Sequence, residues 1–210
     1  MGYPTTMMGK AMYTYAFSPD TGFGQNQYSI QLRLGGEDAV KLQGQVDELL
    51  SASHKKYSEE MAGKKVKKAS PPYKEVTNED GTPTGQLEFK FKQNATIDTK
   101  NGPMDMKPAV FDAKGKPITE PVKVGNGSSV KVAYEPYLWY SASQGAGVKL
   151  RFKALQIIDL KEVTGGNNAD GYGFGEEDGY SHENNNNNGG GDDEAEEFFP
   201  ETPDNEEEDF

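Results

Sequence analysis

Apolar and polar residues alternate in several stretches of this chain, which is the spacing of β-strands that bury one face. The clearest stretches run from Tyr28 to Leu34, from Leu87 to Lys92 and from Val148 to Ala154. Met12 to Phe17 and Val130 to Tyr134 follow the same pattern. The alternation predicts roughly five strands, each with one face toward a core.

The faces of these predicted strands differ in what they carry. Phe89, Phe91 and Phe152 lie on wholly apolar faces, so we predict that all three belong to the core. The same alternation places Ala154 on the core face beside Phe152. Alternation leaves open whether the aromatic residues of the first strand face the core or the solvent. They are Tyr13, Tyr15 and Phe17.

Between Glu37 and Ala62 apolar residues recur at steps of three and four, which indicates an amphipathic helix. Glu37 and Asp38 suit the positive N-terminal end of such a helix, and Gly63 suits its end. A turn is predicted at 18–22, and the basic segment 64–68 is predicted to be an extended linker.

One helix combined with short alternating strands favours a small antiparallel barrel with the helix packed across it. The predicted class is therefore mainly β. The leading candidate is the OB-fold, a five-stranded antiparallel Greek-key barrel.

Charge divides the chain into two parts. Residues 165–210 contain 16 acidic residues and no Lys or Arg. The other 18 acidic residues and all 22 basic residues lie in 1–164, which therefore carry a net charge of +4. Low hydrophobicity and high charge leave too little apolar surface to offset the entropy of ordering a chain. We predict one domain, residues 1–164, and a disordered acidic tail, residues 165–210.

Several classes of protein lack the residues that they need. The chain has no cysteine, so neither a disulfide nor a thiolate metal site is expected. His54 and His182 are the only histidines, and no nucleophile elbow or phosphate-binding loop appears. We expect no enzyme activity, cofactor or metal. No apolar run approaches the roughly 18 residues of a membrane span, and no signal peptide is recognisable, which favours a cytoplasmic protein.

A ladder of basic residues is the strongest local indication of function. Lys149, Arg151 and Lys153 project from one face of a predicted strand, about 7 Å apart, which approximates the spacing of successive backbone phosphates. Lys90 and Lys92 repeat the arrangement on another strand. The alternative is a solvated outer face of the barrel. Two further residues fit the pattern less closely, Arg33 and Lys131.

Aromatic residues beside the last strand could stack on nucleic-acid bases, which is worth about 1–3 kcal/mol per base. At strand spacing Tyr137 and Trp139 share one face, while Leu138 and Tyr140 share the other. One of these pairs must face outward, although packing at the rim would also explain aromatic residues here. Tyr137 and Trp139 are the predicted stacking residues.

The acidic tail ends on an aromatic residue. Asp209 and Phe210 follow a run of three glutamates. An apolar ring gains nothing for solubility, but it can fill a pocket on a partner while the charges steer the encounter. We predict docking on a partner through Asp209 and Phe210; a solubilising appendage is the alternative.

The order of several short stretches resembles the single-stranded DNA-binding proteins of T7-like bacteriophages. The likeness is collinear over nearly the whole chain and includes the acidic tail ending in Asp-Phe. The stretches are 18–20, 80–82, 89–92, 111–116, 130–134, 136–139 and 145–150.

The resemblance implies an OB-fold whose groove binds single-stranded DNA during phage replication, recombination and repair, in the cytoplasm of the infected bacterium. It implies that the tail competes with DNA for the groove and docks on DNA polymerase and helicase-primase through the terminal Phe. It also implies that the protein can dimerise through the tail.

One alternative function belongs to another class. The acidic tail could mimic DNA and sequester a basic partner, with the barrel as a scaffold. Binding of duplex DNA in the same groove also stays open, since phosphate contacts alone do not distinguish the two forms of DNA.

Overall fold

A computed structural model describes residues 2–61 and 65–161, without the side chain of Phe23. These residues form one α-helix, α1 (Gly36–Glu60), and nine strands. The strands are β1 (Gly9–Asp20), β2 (Gln27–Gly35), β3 (Tyr73–Thr77), β4 (Pro83–Asn94), β5 (Thr96–Thr99), β6 (Gly102–Asp105), β7 (Ala109–Phe111), β8 (Ser129–Ser141) and β9 (Gly145–Asp159). The predicted domain boundary at 164 and the predicted tail lie outside the described residues.

Five of the strands close into a ring in the order β1, β2, β4, β9, β8 and back to β1. Four of the pairings are antiparallel, and the ring closes where β4 and β9 run parallel with Phe91 opposite Leu150. This order is that of the OB-fold, and it confirms the predicted five-stranded barrel. β3 extends the sheet beside β4, and β7 extends it beside β9.

The core fills the inside of this ring. Phe89, Phe91 and Phe152 are fully buried, as the apolar strand faces predicted. Ile30 and Leu32 of β2 are also fully buried, which confirms the alternation in that strand. Each buried side chain of this size stabilises the fold by roughly 1.5–3 kcal/mol relative to exposure.

α1 packs against the ring through the face that its three- and four-residue periodicity predicted. Its buried residues are Ala39, Leu42, Val46, Leu50 and Ser53. The Ser53 hydroxyl donates to the carbonyl of Gly147 at 2.9 Å, which ties the helix to β9. In the ranges 2–61 and 65–161, no helix combines the length and apolarity of a membrane span.

The chain turns between β1 and β2 later than the sequence predicted. Ser18 to Asp20 belong to β1, and Asp20 pairs with Gln27 of β2. The change of direction falls on a short 3-10 turn, Gly22–Gly24, where the Asp20 carboxylate accepts a hydrogen bond from the Gly22 amide. A proline such as Pro19 is compatible with a strand where its missing N–H is not needed by the ladder.

Three short strands were absent from the prediction. Within β3, Val76 is the buried residue, and β5 and β6 form a hairpin without a fully buried side chain. Strands that bury so little carry no apolar alternation from which to recognise them.

In the middle of β9, the alternation of buried and half-buried side chains shifts by one residue. Ala133 of β8 pairs with Ala154, but the next residue, Tyr134, pairs with Phe152. Lys153 is therefore an extra residue on β9, which is a β-bulge. Beyond the bulge Leu155 is fully buried and Ala154 is half-buried, so the prediction that Ala154 faces the core was wrong.

Residues 65–69, which follow α1, pack against the barrel. The Ala69 amide donates to the carbonyl of Ala146, and the Ala146 amide donates to the carbonyl of Lys67, both at 2.8 Å. Val66 and Ala69 are buried. Residues 65–69 thus form a short strand-like pairing with the start of β9 rather than a free linker.

Candidate nucleic-acid interface

The ring closure between β4 and β9 brings the two predicted sets of cations together. Phe91 and Leu150 face each other inside the barrel, so their neighbours on each strand point outward. We call the resulting surface the cationic face. It consists of Lys90, Lys92, Lys149, Arg151 and Lys153.

Contacts across the closure confirm that these strands lie side by side. The Lys149 ammonium donates to the side-chain oxygen of Asn94 on β4, with 3.3 Å between Nζ and Oδ1. The Lys92 ammonium lies 3.5 Å from the side-chain oxygen of Gln25, in the connection between β1 and β2. The cationic face is therefore continuous from one strand to the next.

Burial and neighbouring positive charges lower the pKa of two of these lysines. Burial lowers the pKa of Lys92, and the charges of Lys90 and Lys149 lower it further. Burial also lowers the pKa of Lys149, with the Arg151 charge acting in the same direction. An anion bound between these groups would offset the repulsion and favour the charged forms of both lysines.

One carboxylate lies within the cationic face. Oε2 of Glu135, on β8, is 2.9 Å from Nζ of Lys153 and 3.7 Å from Nη1 of Arg151. The hydrogen bond from Lys153 lowers the pKa of Glu135; burial opposes this, and the charges of Lys153 and Arg151 reinforce it. Two of the five predicted phosphate contacts are thus already paired with an anion.

Tyr137 lies beside the cationic face, opposite Lys149 in the pairing of β8 with β9. Its side chain is 44% exposed, which leaves ring surface available to a base. The guanidinium carbon of Arg151 is 3.6 Å from the centre of the Tyr137 ring, a close cation–π contact.

Trp139 points to the same side of β8 as Tyr137, as the sequence predicted, but its surroundings differ. It pairs with Gly147, and a Cβ at that glycine would lie 2.3 Å from the indole. The ring therefore rests on the Gly147 backbone and is half-buried. On the other side of β8, Tyr140 packs against Tyr57 of α1, with 5.6 Å between ring centres.

Two aromatic residues that the sequence left undecided line a groove next to the cationic face. Tyr13 is 56% exposed and Tyr15 is 43% exposed. The groove has a volume of about 320 Å³, and Lys90 and Lys92 form its opposite wall across Ser29 and Gln31 of β2.

A β-bulge in β1 turns these tyrosines outward. The pairing with β2 shifts by one residue between Met12, which lies opposite Gln31, and Tyr15, which lies opposite Ser29. Tyr13 adopts a φ of 48°, in the left-handed region that residues other than glycine rarely occupy, and its amide donates to the side chain of Asn126 at 2.8 Å. Backbone strain of this kind is often found at functional sites.

The two weaker candidates from the sequence lie apart from this arrangement. Nε of Arg33 donates to the buried carboxylate of Glu88 at 2.8 Å, and Nζ of Lys74 lies 3.0 Å from its other oxygen. Arg33 is therefore engaged in an ion pair. Lys131 is exposed on β8 opposite Gln156, away from the closure of β4 and β9.

The site combines closely spaced cations with aromatic rings on the outside of an OB barrel. Cations can neutralise successive phosphates, and exposed rings can stack on unpaired bases. The predicted docking residues, Asp209 and Phe210, lie outside the described residues.

Comparison with known proteins identifies the class of molecule. Residues 4–160 match the family model described as "Single-stranded DNA-binding protein, Bacteriophage T7". The single-stranded DNA-binding protein of Enterobacteria phage T3 is 31% identical over 93% of this chain and 92% of its own length. That of Escherichia phage T7 is also 31% identical, over 84% of this chain and 83% of its own length.

Solved structures have the same fold. Gp2.5, a single-stranded DNA-binding protein encoded by bacteriophage T7, aligns with a TM-score of 0.67 and 23% identity, covering 86% of this chain and 98% of its own. The single-stranded DNA-binding protein of bacteriophage Enc34, solved in complex with single-stranded DNA, aligns with a TM-score of 0.57 and 15% identity over 78% and 90% of the two chains. This chain belongs to the family of T7 single-stranded DNA-binding proteins.

Proposed function

We propose that this chain is a non-enzymatic protein that binds single-stranded DNA, independently of its sequence, along the cationic face. The observation that supports this most directly is the closure of β4 on β9. It places Lys149 close enough to Lys92 for its charge to lower the pKa of Lys92, beside rings that are open to solvent.

Phosphate contacts come from the five residues of the cationic face. Lys90, Lys92 and Lys149 form a group that spans the two strands, and Arg151 and Lys153 continue it along β9. Lysine and arginine contacts to the backbone carry little sequence information, so they suit a protein that covers any exposed strand.

Base contacts come from the aromatic rings on either side. Tyr137 presents an exposed ring next to Lys149. Trp139 presents a half-buried ring on the same side of β8. Tyr13 and Tyr15 offer a second stacking surface across β2. Stacking tolerates every base because each has a π-face, which again favours binding without sequence preference.

The biological setting that we propose is the replication, recombination and repair of phage DNA in the cytoplasm of an infected bacterium. Family membership and the names of the T3 and T7 relatives support this setting. The solved complex of the Enc34 protein with single-stranded DNA supports the choice of ligand.

The acidic segment 165–210 has three proposed roles. Its 16 carboxylates compete with DNA for the cationic face, because attachment to the same chain gives it a local concentration on the order of millimolar. DNA displaces the segment, and Asp209 and Phe210 then dock on the phage DNA polymerase and helicase-primase. The same segment allows two copies of the chain to pair. The charge division of the chain supports competition and docking.

The test is a fluorescence titration of a labelled single-stranded oligonucleotide with the full chain and with residues 1–164, at several salt concentrations. We expect tighter binding by the shorter chain, with the largest difference at low salt, where electrostatic competition is least screened. A duplex of the same sequence is the control for strand preference.

Two outcomes would contradict this proposal in part or in whole. Equal affinities of the two chains at low salt would exclude competition by the acidic segment while leaving DNA binding in place. No binding by either chain would exclude DNA binding, and would favour the alternative in which the acidic segment mimics DNA for a basic protein.

A further inference from the structure

Glu135 is an acidic residue on β8, opposite Arg151, at the edge of the cationic face. Its Oε2 atom accepts a hydrogen bond from Lys153 at 2.9 Å and lies 3.7 Å from Arg151. An ammonium and a carboxylate at 2.9 Å have the separation of an ammonium and a phosphate oxygen. The carboxylate therefore lies where a backbone phosphate would bind these two side chains.

The exposure of the three side chains suggests that the pairing is reversible. Glu135 is 41% exposed and Arg151 is 33% exposed, so neither is enclosed by the fold, whereas Lys153 is 15% exposed. Partly exposed ion pairs contribute little to stability, because water screens them. The Glu135 side chain can therefore rotate into solvent at a small cost.

The same pairing affects the ring of Tyr137. Arg151 lies between Glu135 and Tyr137, with its guanidinium carbon 3.6 Å from the centre of the ring. Its ion pair with Glu135 helps to hold the guanidinium there. The pairing of Glu135 with Arg151 and Lys153 thus affects two predicted phosphate contacts and one predicted stacking surface together.

We propose that Glu135 competes with the DNA backbone for Arg151 and Lys153. It neutralises these two side chains in the free protein and must be displaced before a phosphate can bind them. This inference rests on the proposed function. A polymer with successive phosphates can displace Glu135 because Lys90, Lys92 and Lys149 hold its neighbouring phosphates. A single small anion lacks those additional contacts, so Glu135 favours the strand over isolated anions.

The test compares the full chain with its Glu135→Gln variant, using fluorescence anisotropy of a labelled oligothymidine at low and moderate salt. We expect the variant to bind about three- to tenfold more tightly, the size that two partly exposed ion pairs support. The gain should shrink as salt screens the carboxylate. Glu135→Ser should tighten binding as well, since both variants remove the charge.

Glu79→Gln is the matched control. It removes the same charge from an exposed position in the turn between β3 and β4, at the opposite end of β4 from Lys92. At moderate salt we expect its affinity to change by less than about twofold, because exposed charges further apart than a Debye length are largely screened.

A second measurement separates displacement from a general effect of charge. If Glu135 restrains Arg151, then Arg151→Ala should weaken binding more in the Glu135→Gln background than in the natural chain. Additive effects of the two substitutions would contradict the proposal.

The possible failures are distinguishable. If the natural chain binds the oligonucleotide and neither Glu135 variant binds more tightly than the Glu79 control, the inference is wrong and the proposed function stands. If no form of the chain binds, the proposed function is wrong and the inference falls with it.

Discussion

Glu88 is a buried carboxylate on the outside of the barrel, and its two partners explain why the fold tolerates it. The side chain is 2% exposed and contacts Arg33 from β2 and Lys74 from β3. Burial would raise the pKa of Glu88, but the hydrogen bonds and charges of Arg33 and Lys74 outweigh it and hold the pKa below its ordinary value. The ionised carboxylate thereby joins three strands.

Replacement of Glu88 by Gln should make stability less dependent on pH. A lowered folded-state pKa means that Glu88 stabilises the fold above its ordinary value of 4.5 and loses this contribution as pH falls through the folded-state value. At neutral pH we expect Glu88→Gln to lower the free energy of unfolding by about 1–3 kcal/mol.

Urea unfolding at neutral and acidic pH measures this difference. The two proteins should converge in stability as the pH falls below 4.5. A difference that stays constant over the whole range would contradict the assignment of an ionised Glu88.

At the scale of the element, the two β-bulges decide which side chains reach the site. The bulge at Lys153 changes the phase of β9, and the bulge in β1 turns Tyr13 and Tyr15 outward. Each adds one residue to a strand, which moves the side chains directly after it to the other face. Alternation of apolar and polar residues therefore predicts the facing of side chains correctly on either side of a bulge. It does not predict the change of face at the bulge itself.

Tyr13→Gly separates the binding role of this bulge from its structural role. Glycine adopts a φ of 48° without strain, and Tyr13 is largely exposed, so we expect stability to change by less than about 1 kcal/mol. Loss of the ring should weaken binding of an oligonucleotide by about 1–3 kcal/mol if it stacks on a base.

Thermal unfolding and oligonucleotide titration of the same preparation measure the two effects. Unchanged affinity at unchanged stability would show that Tyr13 contacts no base. A large loss of stability would instead assign the residue to the fold.

The sequence predicted those elements that bury a full apolar face. β2, β4 and α1 follow their periodicities closely, and the core phenylalanines are where alternation placed them. β3 and the hairpin of β5 and β6 could not be predicted in this way, because their stability comes from pairing with neighbours rather than from burial.

Only part of the candidate site could be predicted from the sequence. Local spacing identified the two sets of cations, since each lies within one strand. Their junction depends on the pairing of Phe91 with Leu150, which are 59 positions apart and carry no mark of their contact. The ion pairs of Glu135 and the groove of Tyr13 and Tyr15 likewise depend on the register between strands.

At the scale of the whole molecule, the two parts of the chain carry net charges of opposite sign. Residues 1–164 carry +4, while 165–210 carry 16 acidic residues and no basic ones. Within the basic part, the outer face of β4 and β9 concentrates cations. Burial and neighbouring positive charges lower the pKa of two of them, Lys92 and Lys149. Such a surface gains most from a ligand that supplies several regularly spaced negative charges.

The central claim is that the junction of β4 and β9 binds the backbone of single-stranded DNA. Its most direct test is the salt dependence of oligonucleotide affinity for the full chain and for a double variant, Lys92→Gln with Lys149→Gln. The control is Lys41→Gln with Lys116→Gln, which removes the same charge from exposed positions on α1 and in the turn after β7.

We predict that the junction variant loses affinity on the order of tenfold at low salt. The slope of log affinity against log salt should become shallower by about 1.4, which corresponds to two lost phosphate contacts on a single strand. The control should keep the slope of the natural chain. Equal losses of slope in both double variants would contradict the claim, because binding would then follow net charge rather than this site.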